Sequence, residues 1–210
     1  MIRLRFAAKV PPSSKSVNCG FGAPNPHDMP LSLLKSLLRR DPHRATAARL
    51  YAALAPQARQ PEFYGTRFAV PDTLEGRFDL LVLHTFLVME RLQEEENGPA
   101  INQALFDEMF RHLDLTLREI GVQDLGVGRR IKEMAEAFNG RTMAYRAALA
   151  GQGETLAAAI RRNVHGDDPA ASDGADRLAV YCMSVLAGFR GQSTASILAG
   201  RLGFPDPATI

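Results

Sequence analysis

Hydrophobic positions along this chain recur at helical spacing, and its densest run, Pro71 to Leu149, predicts three consecutive helices. The first is apolar nearly all round, with Phe78, Leu80, Leu81, Val82, Leu83, Phe86, Leu87, Val88, Met89 and Leu92. A helix of that kind is expected to be surrounded by others. Its polar exceptions, Arg77, His84 and Arg91, are spaced seven apart and share one stripe, drifting only about 20° per step. Such a stripe on a buried helix needs partners or solvent. Two readings follow: hydrogen bonding to neighbouring helices, or the lining of a groove for a ligand or protein partner.

The second helix turns Leu105, Phe106, Met109, Phe110, Leu113, Leu117 and Ile120 inward and Asp107, Arg111, Asp114 and Arg118 outward. Asp107–Arg111 and Asp114–Arg118 are acid-first i,i+4 steps, the favourable orientation, which predicts a solvated, self-paired face. Gly121 is placed to end this helix and Asp124 to start the third. That third helix carries a stripe of Val127, Ile131, Met134, Ala135, Phe138, Tyr145 and Leu149. Gly140 in its middle costs about 1 kcal/mol relative to alanine, which a close helix crossing or a kink would offset.

Before this centre, residues 31–40 and 43–59 pattern as two short helices, with Asp41 as cap and Pro42 as first residue of the second. The loop over 60–72 holds Phe63, Tyr64 and Phe68 and is expected to pack on the body. After it come a helix from Glu154 to Val164, an acidic small-residue loop over 166–174 expected to be flexible, and a helix over 175–189. The last of these carries Leu178, Val180, Tyr181, Met183, Val185 and Leu186, with Cys182 as a small core residue. A final turn or two falls within 193–202. Residues 1–30 contain five prolines and little to pack, so they read as a flexible basic N-terminal arm, with a cleaved presequence or an overlong start as alternatives. The expected fold is all-α, a single irregular helical bundle of about seven to eight helices over 31–205, preceded by that arm.

The 210 residues are 46% hydrophobic, enough for a sizeable core, yet no apolar run approaches the roughly 20 residues of a membrane span. Cys19 and Cys182 are the only cysteines, which argues against a structural disulfide or a cysteine-built zinc site. Charge is unevenly spread. Residues 1–59 hold ten Lys/Arg and two acids, a balance of +8, whereas the other 151 hold 15 and 21, a balance of −6. A basic head on an acidic body fits attraction to lipid headgroups or RNA, or else is a solvated arm.

Catalytic signatures are missing. Gly126-Val-Gly has neither the preceding strand nor the third glycine of a phosphate loop, and no GxSxG occurs. His27, His43, His84, His112 and His165 lie in different segments, none at metal-ligand spacing. His84 and His112 on adjacent helices could hold a haem or metal only as a pair drawn together by the fold. The residues alone predict a helical binding protein without catalytic, cofactor or metal residues, and a soluble carrier of haem, lipid or quinone is the alternative.

Five blocks occur in a familiar order: Gln57-Ala-Arg-Gln-Pro-Glu-Phe-Tyr64, Val70-Pro-Asp-Thr-Leu-Glu-Gly-Arg-Phe-Asp79, Phe106-Asp-Glu-Met-Phe110, Leu117-Arg-Glu-Ile-Gly-Val122 and Ala137-Phe-Asn-Gly-Arg141. Over about Leu50 to Asn163 the chain resembles the ubiquinol–cytochrome c chaperone family. Asn139 stands where that pattern is expected to have an aromatic residue, and His112 where it is expected to have an acid.

The resemblance implies an all-helical, non-catalytic assembly factor for complex III that binds newly made cytochrome b at the membrane. A small partner protein and the ribosome are further implied contacts, beside which the basic head is sensible; DNA is not implied. Arginine and alanine richness suits a bacterial chain, placing it in the cytoplasm, peripheral to the inner membrane, or on the matrix side in a eukaryote. The membrane anchor of some mitochondrial members is not seen in this sequence. Spacing together with the resemblance assigns partner binding to Arg77, His84 and Arg91 and to Asp107, Arg111, Asp114 and Arg118. Arg141 joins them through its block.

Overall fold

A computed structural model describes residues 42–119 and 124–210. The expected arm over 1–30, the helix over 31–40, the Asp41 cap and the Gly121 terminator lie outside the described residues. Among those described there are seven α-helices and no strand. In chain order these are α1 (Pro42–Gln57), α2 (Leu74–Leu92), α3 (Gly98–Glu119), α4 (Asp124–Leu149), α5 (Leu156–Val164), α6 (Ser172–Gly191) and α7 (Thr194–Leu198). The all-α reading holds.

Hydroxyl caps set several of these starts. Thr73 accepts a hydrogen bond from the Gly76 amide at 3.1 Å at the head of α2, Thr155 from Ala158 at 3.2 Å before α5, and Ser193 from Ser196 at 3.3 Å before α7. Each supplies an acceptor to an amide that has no partner within its own helix.

α2 is the axis of the molecule. Every residue from Phe78 to Met89 is buried, because α1, α3, α4, α5 and α6 all pack against it. Each large apolar side chain so enclosed contributes about 1.5–3 kcal/mol relative to exposure. α1 lies chiefly on α3, α4 continues the layer to α5, and α5 lies on α6. The connection after α1 packs down as its aromatics predict. Phe63 and Phe68 are completely buried, and the Phe63 ring stands edge-on to His84 and Tyr181 at 5.3 and 5.0 Å.

Three expectations change. Val180 and Met183 are 57% and 48% exposed, because α6 packs on α2 and α5 and these positions turn away. Gly140 lies exposed within an unbroken α4, with no atom within 4 Å of where a Cβ would stand, so no close crossing accounts for it. The acidic loop holds a 3-10 turn at Pro169–Ala171 capped by Asp168, and α6 begins at Ser172, earlier than its apolar pattern indicates.

Candidate functional site

The stripe of α2 is divided among three environments. Arg77 is exposed, its Nε donating to Asp72 Oδ1 at 2.6 Å and its guanidinium lying 5.7 Å from the Tyr64 ring centre. Its hydrogen bond holds the Asp72 carboxyl below the usual carboxylate range. His84 has no exposed surface. Its Nδ1 lies 2.8 Å from the Leu80 carbonyl, which fixes the proton there as donor, so Nε2 accepts from the Tyr181 hydroxyl at 3.0 Å. Tyr181 in turn accepts from Gln57 Nε2 at 3.1 Å. Burial pushes the His84 imidazole down to about 4, against the opposing effect of the Leu80 bond.

Arg91 closes the far end of the stripe. It donates to the Phe189 carbonyl at 3.0 Å and the Gln192 carbonyl at 3.4 Å, to Thr194 Oγ1 at 3.1 Å, and to Glu95 Oε1 at 2.6 Å. Cationic donors on the last carbonyls of α6 satisfy acceptors that the helix cannot, and they suit its dipole. The three residues therefore do not line one groove. Two of them are consumed inside the fold, the first of the two readings the spacing left open.

The block Pro71 to Asp79 has a structural reason at nearly every position. Thr73 caps α2, Arg77 reaches back to Asp72, and Phe78 lies beneath the Arg141 guanidinium, 5.6 Å from its ring centre. Gly76 packs so closely on the preceding turn that a Cβ would stand 2.0 Å from the Pro71 carbonyl oxygen. Asp79 is 5% exposed, and its Oδ1 lies 2.7 Å from Arg141 Nη2 on α4. The N–H groups are not aimed along that line, so the contact is ionic more than hydrogen bonding. Burial pushes the Asp79 carboxyl up to about 7, with Arg141 acting against it. Arg141, placed among the partner residues by its block, is thus an interior cation joining α4 to α2.

On α3 the outward charges pair differently from their spacing. Asp114–Arg118 forms as predicted, at 2.8 Å. Asp107–Arg111 does not: Arg111 turns back to Glu108 at 2.7 Å, and Asp107 accepts from Gln103 at 2.9 Å. Glu108 wins because it is drawn under α1, only 8% of its side chain exposed, where its loss of water makes a cationic partner necessary. His112 reaches the same carboxylate at 3.2 Å and stacks on Tyr51 of α1, ring centres 4.5 Å apart. Spacing alone does not single out Glu108, nor the stacking partner that the buried Tyr51 gives His112. The signal for Glu108 was its place between Leu105 and Met109, on the edge of the apolar face.

Beside this face α1, α2, α3 and α4 leave a mostly apolar trough of about 270 Å³, lined by Tyr51, Leu74, Phe78, Leu81, Leu113 and Met134. Leu74 is 40% exposed at its rim. Arg59 and Arg77 stand at one end, where the trough meets a more polar hollow bounded by Tyr64 and Asp72. Among the described residues no group of three His, Cys, Asp or Glu side chains is placed to hold a metal. Ligation by His84 would break its bond to Leu80 or to Tyr181. Burial pushes the Cys182 thiol up, leaving it protonated and unreactive in the core.

A family model described as "Ubiquinol-cytochrome C chaperone" matches residues 66–204. The match begins after the Gln57–Tyr64 block and runs past Asn163 to include α6 and α7. Among solved structures, the crystal structure of the Cbp3 homolog from Brucella abortus is similar to this chain, with 34% identity and a TM-score of 0.67. The similarity covers 87% of this chain and 99% of that one. No curated protein matches the chain.

Proposed function

This chain belongs to the ubiquinol–cytochrome c chaperone family, and on that premise we propose that its helical body receives newly made cytochrome b during assembly of complex III. The observation that carries the proposal is the likeness to the Cbp3 homolog, which extends over 99% of that chain. A non-enzymatic role in complex III assembly goes with the family, and the helical body offers surfaces for it.

The first turn of α2 and the outer side of α3 are the surface assigned to the client. Arg77, Asp107, Arg111 and Arg118 are exposed there, with Asp114 half-buried beside them. His84, Arg91 and Arg141 support that surface from within by fixing α2 against α6, α7 and α4. The basic head over 1–59 is assigned peripheral contact with anionic lipid, with the ribosome as its other anionic neighbour. A small partner protein shares the body. No described helix is long and apolar enough to cross a membrane.

Pulse-labelled cells carrying a tagged copy test this reading. Labelled cytochrome b should co-purify with the tagged protein shortly after synthesis and leave it as complex III is completed. If complex III depends on the protein while no labelled cytochrome b is recovered with it, cytochrome b is not the client.

A further inference from the structure

We propose that the trough between α1 and α4 is the seat for an apolar polypeptide segment of the client that carries an acidic residue at one end, where Arg59 and Arg77 receive it. The proposal rests on the chaperone reading and adds to it the place, the chemistry and the direction of binding.

Shape argues for a polypeptide segment. The trough does not end at its own walls. It shares Arg59 and Arg77 with a hollow of about 370 Å³, and Leu74 with another of about 350 Å³ that reaches Leu117 and Arg130. Open hollows joined through shared wall residues, apolar in the trough and toward Leu117 and more polar toward Asp72, suit side chains presented at regular spacing along a strip of chain. Compact ligands are instead held in enclosed cavities.

Charge gives the segment its direction. Arg59 meets no carboxylate among the described residues; it follows the end of α1, donates to the Ala55 carbonyl at 3.3 Å and lies beside the Tyr51 hydroxyl, and both of these partners are uncharged. Arg77 beside it is paired with the exposed Asp72 at 2.6 Å. At the far end two cations meet two carboxylates: Arg130 lies 2.8 Å from Glu75 and 3.9 Å from Glu133, and Arg129 lies 4.0 Å from Glu133. The unmatched positive charge is therefore at one end only, and an acid on the segment pairs there while its apolar face covers Leu74, Leu81 and Leu113. The leucine-rich stretch over 31–40 of this chain is a poor occupant, since it carries Lys35, Arg39 and Arg40 and no acid.

Photo-crosslinking in cells that assemble complex III tests the seat, with the full chain bearing a photoreactive residue at Thr116 in the trough wall. The same residue at Val180, exposed on α6 away from the trough, is the control. A complex III subunit should crosslink at Thr116 and not at Val180. Arg59→Glu and, separately, Leu113→Glu should each lower that adduct at least fivefold while the purified variants melt within a few degrees of the parent. An adduct to lipid alone, an adduct to a second copy of this chain, or one indifferent to both substitutions overturns the proposal. Complementation separates the two levels. If deletion abolishes cytochrome b accumulation and both well-folded variants restore it fully, the trough is wrong and the chaperone reading stands. If deletion leaves cytochrome b unchanged, the chaperone reading fails and takes the trough with it.

Discussion

Asp79 on α2 and Arg141 on α4 lie 2.7 Å apart, and they are the last residues of two of the sequence blocks that carry the family resemblance. The blocks are 62 positions apart in the chain, and this contact is where they meet. Their residues shape one junction, in which Thr73 and Gly76 start α2, Phe78 underlies Arg141, and Asp79 supplies the counter-charge.

Removing one member of that pair should be costly. Arg141→Ala leaves the Asp79 carboxyl, 5% exposed and already pushed up to about 7, without its cation, and above pH 7, where it must ionise unpaired or hold its proton, the loss should be about 3 kcal/mol. For a chain of this size that lowers Tm by roughly 6–12 °C. Replacing both partners, Asp79→Leu with Arg141→Met, should recover much of the loss, because neither charge is then stranded. Thermal denaturation of the two variants side by side measures this, and equal destabilisation by both would show that packing rather than charge holds the junction.

Gly76→Ala should destabilise, opposite in sign to helix propensity, which favours alanine by about 1 kcal/mol. The new Cβ would stand 2.0 Å from the Pro71 carbonyl oxygen, so the turn before α2 must shift. Overpacking of this kind costs about 1–3 kcal/mol. Urea unfolding gives the sign directly.

Two buried groups give the stability opposing pH dependences. His84, pushed down to about 4, is neutral in the fold and takes up a proton on unfolding below its ordinary value of 6.5. Its contribution is present above pH 6.5 and is lost as pH falls toward 4, about 3 kcal/mol in all. Asp79, pushed up to about 7 from 3.8, contributes stability below pH 3.8 that is lost as pH rises through 7. Between pH 4 and 6.5 the two slopes oppose, so the parent should be nearly flat in that window. His84→Gln should show stability falling as pH rises, and Asp79→Asn should show it falling as pH drops. Denaturant midpoints at four pH values distinguish these signs.

The architecture was legible in the sequence because its periodicity is strong. A helix apolar on all faces has only one place to go, and α2 is enclosed as that pattern requires. The flanks were less so: Val180 and Met183 belong to an apolar run, but only their neighbours on α6 face α2 and α5. Spacing alone placed Arg77, His84 and Arg91 on one stripe without revealing that Phe189, Thr194 and Tyr181 would come from about a hundred residues away to meet two of them. Asp107–Arg111 failed for a related reason, since an i,i+4 rule knows nothing of α1, which draws Glu108 into the competition. The trough was invisible because Tyr51, Leu74, Leu113 and Met134 come from four helices and share no local pattern.

Arg118→Ala should separate surface function from stability. Its pair with Asp114 is exposed, 48% and 37% at the two side chains, and such pairs contribute less than about 1 kcal/mol. The purified variant should melt within a few degrees of the parent, whereas complex III in cells relying on it should fall severalfold. Full complex III in that strain would remove Arg118 from the client surface.

The most direct test of the central claim is a reduced-minus-oxidised absorption spectrum of membranes from cells lacking the protein, grown where complex III is required. The account predicts loss of the cytochrome b signal of complex III with other haem proteins intact. An unchanged cytochrome b signal would contradict it, as would a parallel loss of unrelated cytochromes, which belongs to general haem handling.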